Sequence, residues 1–585
     1  MTTYKIKEMK KIYLIILMIA VAKFASAQED EIKSQEIDII KPYQPILADA
    51  VKIPFVPQIE KNKTEKQIVS YDVPAKLMEI PYTAPNLKPA AMPKDYNKEE
   101  LPSVYAKVGI GNYYAPFIDL IYTNTKNKNF NYGGEIYHYG AHSNDIKSRA
   151  MRQTAFTLFG TLYSKKFSGT GNLKYENSKR TAYAMEVLGT QSDSVMRYHF
   201  NKISADINLQ NTTDLKLPFE WKSNLNPYYL SRSINGEKLF TDLNGTKNLS
   251  ELGFNFNNQL SKRLKSNDQI IVNVNWNWNE LTIADMFTHF NYPYYSNKQT
   301  LLPETFTQIH QPKQPNNLLT INPFYKFNRK TWSTELGLNA SFTEGVFVLM
   351  PHYESTKPLI ENYLIYYAGW KGWVQKNSYL NLLNQCSHLS YTDLQNTYSQ
   401  DSYMGVKGTD KKRISYNAKF TRLYYQHLGL FVNNDSVRGG ELTMKYVDEA
   451  TILNFHTDVS YNQNEKLKLL ASFDYYSFYK LSKDITAWNF PPLRFSLNGS
   501  YRIADKIKMQ GSATAWQRPK TLLGTKPVAI KGDLPLDISL GATYNYTKYI
   551  SGFVQVNNIL NQQYQTFYGY KSFGLNAMLG VILKY

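Results

Sequence analysis

Two places in this chain set residue types close together in a way that could do chemistry. His138 and His142 are four residues apart, the spacing by which a helix turns two imidazoles toward one zinc ion. A zinc protease of that kind also needs a glutamate between them. Here the intervening residues are Tyr139, Gly140 and Ala141, and no helical periodicity surrounds them. Cys386 and His388 pair the one thiol of the chain with an imidazole, but nucleophilic catalysis needs a third group to orient the base. None can be placed from the sequence. The other histidines (His199, His289, His310, His352, His427 and His456) are scattered. One cysteine excludes a disulfide scaffold and any multi-cysteine zinc site, and no glycine-rich phosphate loop follows a strand. No catalytic residue, cofactor or metal ligand is expected, so the protein is read as a non-enzyme, and attention passes to the elements themselves.

Residues 1–27 have the pattern of a secretory signal. Lys5, Lys7, Lys10 and Lys11 form a basic start, Ile12–Ala22 an apolar stretch, and Ala25-Ser26-Ala27 a small-residue cleavage site. The apolar stretch is shorter than the ~20 residues of a spanning helix, and no other apolar run in the chain approaches that length. A polytopic helical membrane protein is excluded. The chain carries 67 Lys+Arg against 48 Asp+Glu, a formal charge of +19. Removing the five lysines and one glutamate of the leader leaves +15. Export argues against nucleic acid as the partner of that charge; anionic lipid headgroups explain it more simply.

Residues 28–102 form a distinct segment holding ten of the 25 prolines. Each proline removes a backbone donor and fixes φ, so neither long helices nor central strands can run through. The segment is expected to be irregular and extended, placed in the periplasm as a tether or along the inside of whatever follows, where Tyr43, Tyr71 and Tyr82 could rest on a row of asparagines, Asn273–Asn279. Within it, Glu36, Ile37, Asp38, Ile39 and Ile40 make a short acidic and apolar stretch of β type, suited to adding a strand to a partner sheet.

From residue 103 the period becomes two. Val272, Val274, Trp276 and Trp278 alternate with Asn273, Asn275, Asn277 and Asn279; Leu575, Ala577, Leu579, Val581, Leu583 and Tyr585 alternate with Asn576, Met578, Gly580, Ile582 and Lys584. A soluble sandwich and a membrane barrel both produce this pattern. Three features select the barrel. Its runs of 8–12 residues suit a tilted span of about 9–11. Aromatics gather at strand ends, as with Tyr544 and Tyr546 or Tyr475, Tyr476, Phe478 and Tyr479, where an interfacial girdle needs them. Connections alternate between tight turns (Asn464-Glu465, Ala504-Asp505, Thr547-Lys548) and long loops (283–316, 517–535, 558–573). The fold class is therefore all-β: a transmembrane antiparallel β-barrel of about 22 strands over 103–585, after a proline-rich N-terminal segment. Residues 375–395 are read as either a helical excursion or a long loop.

The chain's last residues carry a resemblance. Asn557-Asn558-Ile559-Leu560-Asn561-Gln562-Gln563-Tyr564 leads to Tyr568-Gly569-Tyr570, then Gly574, Gly580 and the terminal Tyr585. This resembles the final two strands of TonB-dependent outer-membrane receptors, with Asn558, Asn561, Tyr564, Gly569 and Tyr585 as the matching positions. The resemblance implies an outer-membrane barrel and solute transport, with TonB as a partner that Glu36–Ile40 would contact. The family's folded plug of more than a hundred residues has no counterpart in 28–102. Three activities follow as alternatives: a receptor-like uptake barrel, a passive porin-like channel, or an accessory subunit held by other outer-membrane proteins. No solute is specified by the sequence.

Overall fold

The computed structural model describes residues 102–585 apart from parts of the connections, chiefly 185–195, 236–247, 284–286, 289–306 and 434–440. The leader, the proline-rich segment and Glu36–Ile40 lie outside the described residues. Twenty-two strands form the wall. They are β1 Val104–Gly111, β2 Ala115–Asn124, β3 Phe130–His142, β4 Ala150–Tyr163, β5 Phe167–Ala182, β6 Met196–Asn211, β7 Glu220–Asn235 and β8 Asn248–Arg263. Next come β9 Gln269–Ile283, β10 Lys313–Asn328, β11 Ser333–Thr343, β12 Val346–Ile360, β13 Leu364–Gln375, β14 Thr397–Thr409 and β15 Ile414–Asn433. The wall ends with β16 Leu442–Gln463, β17 Leu467–Leu481, β18 Leu493–Ile503, β19 Ile507–Trp516, β20 Leu536–Asn545, β21 Ile550–Asn557 and β22 Asn576–Lys584. Each pairs antiparallel with its neighbours in sequence, and β1 pairs with β22 from Tyr105↔Lys584 to Gly111↔Met578, closing the ring.

Side-chain direction follows the two-residue period. Leu158, Trp276, Leu349, Met404, Phe420, Leu540 and Leu579 stand exposed on the outside, Leu579 at 64 %. Their inward neighbours are polar or buried: Asn279 and Glu251 are fully buried, and Asn322 and Thr320 nearly so. A band of exposed apolar side chains this extensive marks a surface solvated by something other than water. In hydrocarbon, only a closed barrel satisfies the backbone of a β protein. Aromatic residues crowd the band's edges, with Tyr163, Tyr544, Tyr546 and Tyr549 at one end and Tyr114 and Tyr479 at the other, all exposed.

The end of the barrel that holds Val104 and Tyr585 has the short turns. Several need a left-handed residue, supplied by Asn267, Asn362 and Ala504, all with positive φ. The 547–549 turn is bonded through Thr547 Oγ1, which accepts from the amides of Tyr549 and Ile550. The opposite end has the long connections. Strand lengths exceed the expected 8–12 residues, reaching 20 in β15 and 22 in β16. The excess lies at the long-loop end, beyond the lipid, where a hairpin needs no apolar outer face to persist. At His427 the backbone turns left-handed (φ 54°) and the pairing skips from Gln426↔Glu449 to Leu428↔Val447. The register is the same on either side of this interruption. Beyond it the hairpin packs inward: Leu430, Val432, Leu442 and Val447 are buried, packed with Ala450, Trp488 and Leu522 or on Cys386. Inside the last connections, 517–535 carries a small hairpin, Lys520–Leu523 with Lys526–Ala529.

The two faces should respond differently to charge. Val274→Arg or Leu579→Arg is expected to destabilise the assembled barrel by about 2–4 kcal/mol if near the midplane; Asn275→Arg should cost little. Heat-modifiable migration and urea unfolding in detergent or vesicles would read the difference, and equal sensitivity of both faces would contradict a lipid-facing exterior.

Candidate functional site

The lumen face changes character toward the long-loop end. Lower down it is polar: a cavity of about 380 Å³ is lined by Asn208, Asn224, Asn257, Asn273 and Asn275, and the Asp206 carboxylate accepts hydrogen bonds from Asn224 and Asn226. Near the mouth, inward positions become apolar, with Leu230, Leu249 and Leu281 all buried. The connection between β13 and β14 lies against them. It contains a helix, α1 (Tyr379–Gln385), so the helical alternative for 375–395 is the one realised. Tyr379, Leu382 and Leu389 pack on Leu230, Leu249 and Leu281, with Phe431 and Met444 of the bent hairpin on the same cluster. A fully buried side chain of this size contributes roughly 1.5–3 kcal/mol, so the contact is strong enough to hold a 21-residue connection inside the mouth as a lid.

Two buried charges fix its position. The Ser378 hydroxyl caps the helix by accepting from the Asn381 amide at 3.1 Å. Glu251 of β8 does the rest: it accepts from the amides of Tyr379 (2.6 Å) and Leu380 (3.2 Å), the Tyr228 hydroxyl (2.7 Å) and the Asn279 carboxamide (3.2 Å). A carboxylate at a helix start is also favoured by the helix dipole. Arg232 of β7 donates through Nη1 to the Tyr379 hydroxyl (2.9 Å) and the Leu389 carbonyl (2.7 Å), and its guanidinium lies 5.7 Å from both the Tyr198 and Tyr379 ring centres. Glu441 lies 4.0 Å away and accepts from the Tyr198 hydroxyl at 2.7 Å. Tyr198 belongs to β6 and Glu441 leads into β16, ten places apart in a ring of 22. The bent hairpin therefore reaches nearly across the mouth to the opposite wall.

Further ties lock the lid's far side. Ser390 donates its amide to the Leu442 carbonyl (2.7 Å), and Leu442 donates to the His388 carbonyl (3.0 Å). The side chains of Asn316 and Asn396 exchange a reciprocal pair of bonds at 2.9 Å. The His388 ring stacks on Tyr570, 3.9 Å between centres, which joins the lid to the connection between β21 and β22. That connection is held in turn by Arg149, which donates to the Ser572 carbonyl at 2.6 Å and lies over Phe573.

The C-terminal positions read from the sequence build this last connection. Asn558 and Asn561 both adopt left-handed φ. Asn558 donates to the carbonyls of Gln562 and Phe573, while Asn561 accepts from the Leu575 amide. Tyr564 donates to Asp537, and Gly569 (φ 84°) lies against Ala184, where a Cβ would collide. Tyr585 is exposed and pairs with Val104 at the short-turn rim. These residues do not form one site; four shape a loop and the fifth closes the ring.

Neither candidate for chemistry survives as such. His138 and His142 sit on a strand, where four residues span roughly 13 Å, and His138 bonds to Thr154. Cys386 is buried and His388 half-buried, and desolvation pushes the thiol up to about 12 and holds the imidazole down at about 3. Both are neutral packing groups in the lid. Among the described residues no His, Cys, Asp or Glu grouping suits a metal ion. The sequence reading missed Arg232, Glu251, Tyr198 and Glu441. Their signal was a loss of alternation: Tyr228-Tyr229-Leu230 and Leu281-Thr282-Ile283 set bulky apolar groups on the lumen face, which an open aqueous pore would not retain.

No family model and no curated relative matches the sequence. The architecture does match solved structures. The pyoverdine outer membrane receptor FpvA from Pseudomonas aeruginosa PAO1 superposes with TM-score 0.59 at 12 % identity, over 83 % of this chain and 79 % of its own. For the copper transporter OprC the figures are 0.60, 11 %, 82 % and 80 %, and for the ferric-catecholate import receptor Fiu from K12 E. coli 0.57, 10 %, 83 % and 82 %. The fold is the barrel of TonB-dependent receptors. At these identities the likeness is one of fold, and it agrees with the lipid-facing belt in placing this barrel in the outer membrane.

Cys386 is the one thiol in the chain and is buried within the docked lid, so it reports lid opening. Removing one partner of a buried ion pair costs about 3–5 kcal/mol. Arg232→Met, which breaks the pair with Glu441, should therefore raise the rate of maleimide labelling of the folded barrel by roughly a hundredfold or more, and an unchanged rate would show that this charge does not hold the lid. A second outcome concerns Lys376, whose ammonium is held down to about 7 by burial, against the opposing pull of the Glu251 carboxylate. The undocked lid binds more protons than the docked one above that value, so docking should strengthen from about pH 7 to about pH 9. Hydrogen exchange of the α1 amides, corrected for intrinsic rate, should show that rise, and Lys376→Met should flatten it.

Proposed function

We propose that this protein is a gated transporter of a polar solute across the outer membrane. The observation that carries the reading is the pair of elements crossing the mouth of a barrel too wide to be filled by its own side chains: the α1 lid and the bent β15–β16 hairpin, joined through Arg232 and Glu441. A passive channel of this size would have no use for a lid fixed by buried charges. A folded lid with defined anchor points suits a barrel that opens for a particular solute, as do structural neighbours described as a pyoverdine receptor and a copper transporter. The carboxamide-lined lumen beneath favours a polar cargo. The neutral Cys386 and His388 support a role without catalysis.

Energy input would come through the N-terminal segment. Glu36–Ile40, of acidic and apolar β type, is the stretch proposed to add a strand to TonB. The accessory-subunit reading has no specific observation in its favour.

The experiment removes each part separately in cells. Deleting 378–390 should admit large polar antibiotics that intact cells exclude, while the barrel still assembles. Deleting 36–40 should abolish capture of the TonB C-terminal domain on a column and leave the permeability of intact cells unchanged. A lid deletion that admits nothing would contradict gating, and undiminished TonB capture would remove Glu36–Ile40 from the contact.

A further inference from the structure

The outer face of β4, β5 and β6 bears a feature that transport through the lumen does not use. On these strands the outward positions climb from an apolar tier of Phe156, Tyr175 and Ile203, all exposed, through a polar tier of Thr154, Asn177 and Asn201. Above that stand Arg152, Lys179 and His199, with Arg197 one step higher opposite Thr181. Arg152 is paired directly across from Lys179, and Lys179 directly across from His199.

Like charges placed directly opposite on neighbouring strands repel, with Cβ atoms only about 5 Å apart. An acidic neighbour normally relieves such a contact. Elsewhere on the outer face at the same end of the barrel that is what happens: Lys313 pairs with Glu280 at 2.8 Å and Lys480 with Glu449 at 3.7 Å. On β4–β6 none of the four basic side chains has a hydrogen bond or ion pair to a described residue, and the outward positions of these strands carry no acid. Among the described residues the repulsion is left standing.

Height identifies what answers it. From Phe167 at the short-turn rim to Lys179, strand β5 climbs about 3.3 Å per residue at a tilt near 40°, which is roughly 30 Å along the membrane normal. The apolar band of an outer-membrane barrel is about 25 Å tall. The four basic groups thus emerge just beyond the hydrocarbon, at the headgroup level of the leaflet facing the long loops. The tier below them supplies the stacked rings of Phe156 and Tyr175, 6.5 Å apart, as a wall for acyl chains.

We propose that Arg152, Lys179, Arg197 and His199 form a docking site for the phosphate groups of a lipid of the outer leaflet, whose acyl chains run down over Phe156, Tyr175 and Ile203. The guanidinium and ammonium groups supply charge-assisted donors to phosphate oxygens, and the bound phosphate turns the opposed cations from a repulsive pair into a shared clamp. The site lies on the lipid side of the wall and is independent of the gating reading.

The test uses full-length protein purified in zwitterionic detergent, with bisphosphorylated hexa-acylated lipid A as probe and native mass spectrometry as readout. The wild-type barrel should retain one lipid A, whereas Arg152→Gln, Lys179→Gln and Arg197→Gln combined should bind roughly a hundredfold more weakly, at about 1 kcal/mol for each cation. The control Lys313→Gln with Lys480→Gln should bind as wild type. Heat-modifiable migration shows that each variant is a closed barrel. Binding by the triple variant equal to wild type, or equal retention of dephosphorylated lipid A by wild type, would overturn the proposal. Displacement of the lipid by excess inorganic phosphate would also overturn it, by showing a site for free phosphate.

Discussion

Hydrocarbon offers a peptide group no hydrogen-bond partner, and every other feature of this molecule follows from meeting that constraint with strands. The sheet has to close, and it does so where β1 meets β22, at a seam tight enough that Gly580 cannot carry a side chain: a Cβ there would run into the Val108 carbonyl and the Phe553 ring. Closure with 22 strands gives a ring too broad for inward side chains to meet in the middle. The barrel that satisfies its backbone thereby creates an aqueous hole, and the chain has to fill or gate that hole with something other than the wall.

The gate obeys the opposite physics. Around the mouth, Leu230, Leu249 and Leu281 bury apolar surface that water would otherwise cover, and the lid has charged groups fixed within that apolar packing. Glu251 and Arg232 are costly to bury alone, yet each is met by several partners, including helix amides and tyrosine hydroxyls. A satisfied buried charge specifies one docked geometry more sharply than leucines can, and losing one partner exposes the other to a large penalty. A lid held in this manner is firm while every contact is made and weak once a ligand competes for one of them. The bent hairpin adds reach: beyond His427 it packs Phe431 and Met444 on the lid and brings Glu441 to Tyr198.

Much of the wall was legible in the sequence because side-chain period, strand length and turn chemistry all point the same way. The alternation of Val274 and Trp276 with Asn273 and Asn275 needs only one fact, that lipid lies on one side and water on the other. The C-terminal Asn558 and Asn561 were legible as a resemblance, and the structure gives their physical content as left-handed turn residues. The lid was not legible. Its anchors are single residues on four strands, Tyr198, Arg232, Glu251 and Asn316, whose common role shows only once the lid is docked on the wall, and sequence distance gives no hint of the link from Tyr198 to Glu441. The stretch 375–395 reads equally as helix or loop because its helix is short and takes half its capping from Glu251, more than a hundred residues away. The paired Cys386 and His388 were equally opaque: only burial shows them to be neutral.

The central claim is that a barrel of pore-forming width is held shut by the charges at its mouth. Single-channel conductance in planar bilayers tests it most directly. The wild-type barrel should be silent or nearly so, and Glu441→Gln combined with Arg232→Met should give large, long-lived openings in an otherwise intact barrel. A wild-type protein that conducts at porin level, or a double variant as silent as the parent, would contradict the account.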